Sequence, residues 1–264
     1  QVVDFFVPTM YHYMQLDSDM PIDWLLGLVK NQNIGVYPIL QPYIKDKTLD
    51  RDLHGEHELD AMLYADNEHF RSAASNLKML GADGFYSWFL KWPLEDKQRS
   101  ILKELNDIDK LKYLNKTYCL AKRVKGAAEL GYETSIPIEI SSDSDDEEII
   151  FNFSDRGENS PGHRADITLL LRVKGIVNDD MVNVQINGVA INHLLSKRYR
   201  SEYIRRPPSP HIIEPYSGQM LEFKLPDNLL GMGPNKLSVG LLKRPDMLNC
   251  MVIVDDVNIQ VVYS

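Results

Sequence analysis

Three short apolar runs alternate with helical patterns in the first half of the chain, and the second half shows strand patterns only. VVDFFVP (2–8), IGVYPIL (34–40) and DGFYSWFL (83–90) are rich in β-branched and aromatic residues and apolar on both faces. Runs of this kind belong to parallel strands covered by helices. Pro21-Ile22-Asp23 opens an apolar helix, WLLGLVK, with proline near its first turn. Phe70, Ala73, Ala74, Leu77 and Leu80 form the stripe of an amphipathic helix that Gly81 ends. Helical segments 94–105 and 107–114 follow, the second capped by Asp107. The order β-α-β-α-β-α fits a small doubly wound sheet, or part of a (β/α)₈ barrel, which needs eight units and about 250 residues.

The pattern changes after Cys119. LAKRVKGAAELGY reads as a connector, so the expected division is 1–128 for the α/β part and 129–264 for an all-β domain. SIPIEI, DITLLLRV, VNVQINGVAI, LEFKL, KLSVGLL and MVIVDDVNIQVVY supply its strands. Asn187-Gly188 is a hairpin turn signal, because a two-residue type I′ turn needs φ > 0 at both positions. Short strands with turns at this spacing predict an antiparallel β-sandwich of jelly-roll type. Gly231-Met232-Gly233-Pro234 lies between strands, without a following helix, and reads as a turn.

Composition narrows function without naming it. With 29 Lys+Arg against 38 Asp+Glu the 264-residue chain carries a net charge of -9, which argues against nucleic acid as a partner. No apolar run is long enough for a membrane helix. The N-terminus lacks the features of a signal peptide and enters directly into a strand, so an upstream segment is expected. Asn115-Lys-Thr and Asn152-Phe-Ser are glycosylation triplets, meaningful in a secretory compartment, and tilt the address outward. In that setting Cys119 and Cys250 are candidates for a disulfide between the connector and the last strand.

The strand ends hold the candidate site, since (β/α) folds place function where strands pass into βα loops. Those places carry Tyr11, His12, Tyr13 and Asp17, then Gln41 and Tyr43, then Trp88, Lys91 and Trp92. Aromatic rings stack on sugar C–H faces, and amides and acids bond hydroxyls, so the set suits carbohydrate; the alternative is aromatics packed under loops. Asp143, Asp145, Asp146, Glu147 and Glu148 lack the spacing of a calcium loop and read as a solvated acidic loop. Arg198, Arg200, Arg205 and Arg206, interleaved with Tyr199 and Tyr203, are either an exposed loop or an anion site. HGEHE (54–58) is not a helical zinc motif. No metal or cofactor is expected, and neither a nucleotide-binding fingerprint nor a nucleophile elbow is present.

GADGFYSWFLKW (81–92), followed by ILKELNDIDKLKYLNKTY (101–118), resembles family 10 glycosyl hydrolase-like proteins of bacteria, as do Asn187-Gly188 and Gly233-Pro234-Asn235-Lys236-Leu237. The resemblance implies that 2–8, 34–40 and 83–90 are the last three strands of a (β/α)₈ barrel, followed by a C-terminal β-sandwich. The first five strands would then come from an upstream part of the same polypeptide or from a second chain. Glycoside cleavage needs two carboxyl groups. The chain departs from that need: Gln41 stands where the seventh strand would end in Glu, and an amide is neither nucleophile nor general acid. Asp17, Asp19, Glu56 and Glu58 are the nearest other acids, with Asp17 and Glu56 the catalytic candidates. Two functions follow from the resemblance: a glycan-binding or structural relative without catalysis, or a glycosidase active once its barrel is completed.

Overall fold

The computed structural model describes residues 3–9, 16–44, 63–87, 94–105, 107–120, 136–155, 164–201, 218–248 and 250–264. The three apolar runs of the first half do pair in parallel, in chain order. β1 (Phe5–Phe6) pairs with β2 (Gly35–Val36), and β3 (Ile39–Leu40) pairs with β6 (Tyr86–Ser87). β2 and β3 are one central strand interrupted at Pro38, which has no N–H to give. Its continuity shows in the bonds on both sides: Tyr37 N to Phe6 O and Ile39 N to Pro8 O (both 2.9 Å), and Tyr86 N to Pro38 O (3.0 Å).

Helices cover one face of this sheet. α1 (Asp23–Val29) packs Leu25 and Val29 on Val36. α2 (Asn67–Leu80) buries Phe70, Ala73, Ala74 and Leu77 against Leu16, Leu40 and Ile101. The expected stripe is therefore the buried one. Asp66 caps the helix through Oδ1, which accepts from Glu68 N (2.9 Å) and His69 N (3.1 Å). Gly81 ends it at φ 116°, a conformation that costs any Cβ-bearing residue energy. α3 (Asp96–Glu104) and α4 (Ile108–Leu111) follow, and Asp107 caps α4 by accepting from Lys110 N at 3.3 Å.

On the other face described aromatic rings are exposed. Phe5 is 58% exposed and Tyr86 54%, and the Tyr37 ring meets Phe5 edge-on at 6.1 Å. Tyr37 lies over two glycines: a Cβ at Gly35 would stand 2.5 Å from its ring, and one at Gly84 2.9 Å. Among the described residues the parallel sheet has three strands and does not close into a barrel.

One short pairing was invisible in the sequence. β4 (Tyr43–Ile44) runs antiparallel to β5 (Leu63–Tyr64), two residues each from either side of a polar stretch of sequence.

The second half is β-rich. β7 (Lys116–Cys119), β8 (Ile138–Ile140), β10 (Ala165–Lys174), β13 (Leu195–Ser201), β14 (Gly218–Leu225) and β16 (Val252–Tyr263) form a sheet in the order β13-β14-β10-β16-β7, with β8 also on β16. A second sheet, β12-β11-β15-β9, joins β9 (Glu147–Phe153), β11 (Met181–Ile186), β12 (Val189–Ala190) and β15 (Gly233–Lys243). Both contribute to a single apolar cluster, with Phe151, Val184 and Val239 from the second sheet against Leu171, Phe223 and Val257 from the first. β7, which precedes the expected connector, thus belongs to the larger sheet. The Asn187–Gly188 turn has φ 51° and 80°, as its sequence predicts.

A β-bulge organises the outer face of the larger sheet. The register slips between Arg172, opposite Asp256, and Val173, opposite Val254. The extra residue, Asp255, is held by Arg172 Nε (2.7 Å) and Nη2 (2.8 Å), and Lys174 Nζ lies 2.9 Å from its Oδ2. Arg172 is 0% and Asp255 3% exposed. A bulge doubles up residues on one strand and turns their side chains from strict alternation.

The helical layer and the β sheets are bonded to each other. Asn76 Nδ2 on α2 donates to Ser18 O (2.7 Å) and Asn152 O (2.9 Å). Ser72 Oγ donates to Thr117 O at 2.6 Å, and Ser18 Oγ to Cys119 O at 2.7 Å. No described helix is long and apolar enough to cross a membrane.

Candidate functional site

The C-terminal ends of the parallel strands hold Thr9 after β1 and Gln41 after β3, and Tyr43 and Tyr64 follow on the β4–β5 pair. Gln41 is 0% exposed and donates from Nε2 to Thr9 Oγ1 at 2.9 Å. Its Oε1 is buried without a hydrogen-bond partner. Leaving such an acceptor unpaired costs about 1–3 kcal/mol. Thr9 itself is exposed, so the pair is open on the Thr9 side. Two residues on, the Tyr43 and Tyr64 rings lie 4.9 Å apart at 52°, with their hydroxyls 3.5 Å apart. The backbone holds this corner: Leu16 N donates to Tyr43 O (2.6 Å) and Ala65 N to Pro42 O (2.8 Å). Tyr64, 46% exposed, went unnoticed in the sequence; its one signal was an aromatic residue just before the α2 cap. Among the described residues, these strand ends carry an amide, a hydroxyl and two tilted rings.

Of the candidate acids, Asp17 and Asp19 are among the described residues. Asp17 is buried beside Cys119, and its Oδ1 accepts from Asp19 N at 2.9 Å. Asp19 bonds Asn152, taking Nδ2 on Oδ1 (2.7 Å) and the backbone N on Oδ2 (3.2 Å). Both belong to the junction between the helical layer and the β sheets. Tyr11, His12, Tyr13, Glu56, Glu58, Trp88, Lys91, Trp92, Tyr203, Arg205 and Arg206 lie outside the described residues. Of the two glycosylation triplets, Asn152 turns its Nδ2, the atom a glycan would occupy, into that junction. Asn115 is half-buried and accepts on Oδ1 from Tyr263 N at 3.0 Å.

The disulfide expectation is corrected, for both cysteines are free thiols, Cys119 buried and Cys250 exposed. Cys119 pairs with Asn258, whereas Cys250 precedes the start of β16 at Val252. Six strand positions at about 3.3 Å each put about 20 Å between Val252 and Asn258, and a disulfide tolerates Cα separations up to about 7 Å. Burial, with the Asp17 and Asp256 carboxylates adding to it, pushes the Cys119 thiol up to about 12. Cys250 Sγ sits 2.8 Å from Arg244 Nη2 at the surface. A thiol reagent such as Ellman's is accordingly expected to titrate one cysteine in the native protein and two in denaturant. Cys250→Ser should abolish the native reaction; its survival would contradict the placement.

In the charged tracts Asp143, Asp145, Glu147 and Glu148 are exposed, as a solvated stretch would be, and two residues are tied into the fold. Asp146, from the acidic loop, folds onto Gly240 and accepts from Asn183 Nδ2 (2.7 Å) and Gln185 Nε2 (3.3 Å). Arg198 donates to Asp180 O at 3.2 Å and bonds Gln219 and Val177 O, while Arg200 is exposed. Asn235 ties the Gly231–Gly233 turn, accepting from Gly231 N (2.9 Å) and donating to Gly231 O (2.7 Å). Among the described residues no group of three or more His, Cys, Asp or Glu is placed to hold a metal.

No family model and no curated protein matches the chain. Solved structures of glycoside hydrolases do. BuGH86 in complex with neoagarooctaose is similar at 14% identity and a TM-score of 0.28, over 50% of this chain and 18% of that one. BpGH86A, a β-porphyranase of glycoside hydrolase family 86 from the human gut bacterium Bacteroides plebeius, is similar at 17% identity and the same TM-score of 0.28. The match covers 50% of this chain and 20% of the porphyranase. The chain thus spans about a fifth of the length of the structures it matches.

Proposed function

We propose that this chain belongs to a glycoside hydrolase-like protein and binds glycan at the ends of its parallel strands, without two-carboxylate catalysis of its own. The observation that carries this reading is Gln41. A carboxyl group at the end of the central strand would be placed to attack or to protonate a glycosidic bond. The amide there does neither, and the Tyr43 and Tyr64 rings stand on the short ladder that follows it in the chain. Rings and amide are the means by which proteins bind sugars. The acids nearest in sequence, Asp17 and Asp19, are engaged in packing the helical layer on the sheets.

The exposed β1 edge supports a second element of the proposal. Phe5 is bare, and β1 pairs on one side only among the described residues. Unpaired strand edges with apolar side chains accept further strands. We take the three strands as part of a (β/α)₈ barrel completed by strands from outside this sequence, and the two sheets of the second half as its C-terminal β-sandwich. An extracellular address is part of the same reading. Completion of the barrel could supply an acid pair, in which case the finished protein would cleave glycan.

Affinity electrophoresis in gels containing agarose, xylan, mannan or mixed-linkage β-glucan tests the binding. The wild-type chain should be retarded in at least one gel, and the doubly substituted Tyr43→Ala, Tyr64→Ala chain should run freely. Equal mobility of both in every gel would remove the proposed site.

A further inference from the structure

Folding makes the two glycosylation triplets unequal. Asn115 stands between α4 and β7, half-buried, and its side chain is held by one bond: Oδ1 accepts from Tyr263 N at 3.0 Å. Its Nδ2 has no hydrogen-bond partner among the described residues and is not enclosed by them. Tyr263 in turn meets Tyr113, their rings edge-on and 5.9 Å apart, and Tyr113 is 40% exposed. An exposed ring thus precedes the acceptor by two residues and is joined to it through Tyr263.

Asn152 is the opposite case. Its Nδ2 donates to Asp19 Oδ1 at 2.7 Å, its backbone N to Asp19 Oδ2 at 3.2 Å, and its carbonyl accepts from Asn76 Nδ2 on α2 at 2.9 Å. Phe151 and Phe153 on either side of it belong to the core. A sugar on that nitrogen would have to part the helical layer from the sheets, and a close-packed interior has no such room.

We propose that Asn115 carries an N-linked glycan and that Asn152 stays bare. The inference rests on the outward address in the reading above, and not on the strand-end site. The donor is an oligosaccharide on a polyprenyl diphosphate. Nδ2 of Asn115 forms a bond to C1 of the first sugar and gives up a proton, the bond from C1 to the diphosphate oxygen breaks, and the polyprenyl diphosphate leaves. Thr117, whose hydroxyl completes the triplet, is buried in the folded chain and donates to Glu68 Oε2 at 3.3 Å, so transfer precedes the docking of β7 on the sheet. The fold then accommodates the product at Asn115 alone. Substitution of the nitrogen leaves the carbonyl lone pairs of Oδ1 in place, so the bond from Tyr263 N survives. The Tyr113 ring offers its face to the C–H groups of the first sugar.

The test secretes the full chain from a eukaryotic cell behind a cleaved signal sequence. The secreted protein is treated with peptide-N-glycosidase in heavy-oxygen water, which turns each glycan-bearing Asn into a labelled Asp. Peptide mass mapping should find the label at Asn115 and none at Asn152, and Asn115→Gln should remove it. The glycosylated chain should melt about 2 °C or more above Asn115→Gln, and Tyr113→Ala should erase that difference. Label at Asn152 in the secreted chain, or none at Asn115, would overturn the assignment. A glycosylated chain that melts level with or below Asn115→Gln would overturn the packing of the sugar on Tyr113. A chain that folds when made in the cytosol, yet is held back from secretion even as Asn115→Gln, Asn152→Gln, would overturn the outward address and the site with it. The gels that measure binding at the strand ends are decided separately from all of these results.

Discussion

Replacing Asp255 by alanine is expected to cost about 3–5 kcal/mol of stability, the usual penalty for breaking a buried ion pair from one side. Asp255 answers two cations at once. Arg172 grips it with two parallel bonds of 2.7 and 2.8 Å, and Lys174 reaches it at 2.9 Å. Both cations are buried on the outer face of the larger sheet, so each would be left where water cannot replace the carboxylate. Removing the cations as well should return part of the loss: the Arg172→Met, Lys174→Met, Asp255→Ala triple variant should be more stable than Asp255→Ala alone. Urea midpoints of the three proteins decide it. A single variant that unfolds within about 1 kcal/mol of the wild type would mean the bulge does not depend on this triad.

A comparable loss is expected from alkali. Cys119 ionises at about 12 in the folded protein against an ordinary 9.0, because burial, then Asp17, then Asp256 oppose its charge. That difference corresponds to about 4 kcal/mol. The folded value lies above the unfolded one, so this stability is complete below pH 9 and drains away as pH rises toward 12. Tyr118 acts in the same direction, raised by burial and by Asp155, and Tyr263 is raised by the same two causes. Lys116 opposes them, since burial lowers it despite its 2.8 Å bond to Asp155. Tyr199, raised by burial, and Lys110, raised by its bond to Asp107, act with the thiol, and the net is a fall in stability between pH 9 and 12. Urea denaturation at half-unit steps of pH from 8 to 11 should show it, and Cys119→Ala should flatten the first part of the curve. A wild-type midpoint that stays level to pH 11 would contradict the buried thiol.

How much of this was legible depended on the range of the interaction. α2 could be read whole, because its stripe and the Gly81 stop are local features of one segment. The Asn187–Gly188 turn was legible for the same reason, as both residues carry the required φ in their own chemistry. That the three runs pair in parallel followed from their being apolar on both faces. β4 and β5 were not legible: two residues each, separated by a long polar stretch, have no period to detect. Tyr64 was missed with them, and Tyr43 was therefore found without its partner. The cysteine pair failed because strand register decides distance, and Cys119 finds its place opposite Asn258 only through the alignment of β7 on β16. Asp19 was read as an acid of the site because it follows a strand; its capture by Asn152 depends on a contact across 133 positions of sequence. The bulge at Asp255 hid inside a run that reads as an uninterrupted strand.

The central claim is that the strand-end site binds glycan without cleaving it. The most direct measurement incubates the purified chain with each of the four polysaccharides, recording the bound fraction by co-sedimentation and new reducing ends in the same tube. The account predicts sedimentation with at least one polysaccharide, loss of that binding in Tyr64→Ala, and no reducing ends above the protein-free control. Reducing ends that accumulate with the wild-type chain and vanish on Asp17→Asn would contradict it, because they would place catalysis on an acid that the fold uses for packing.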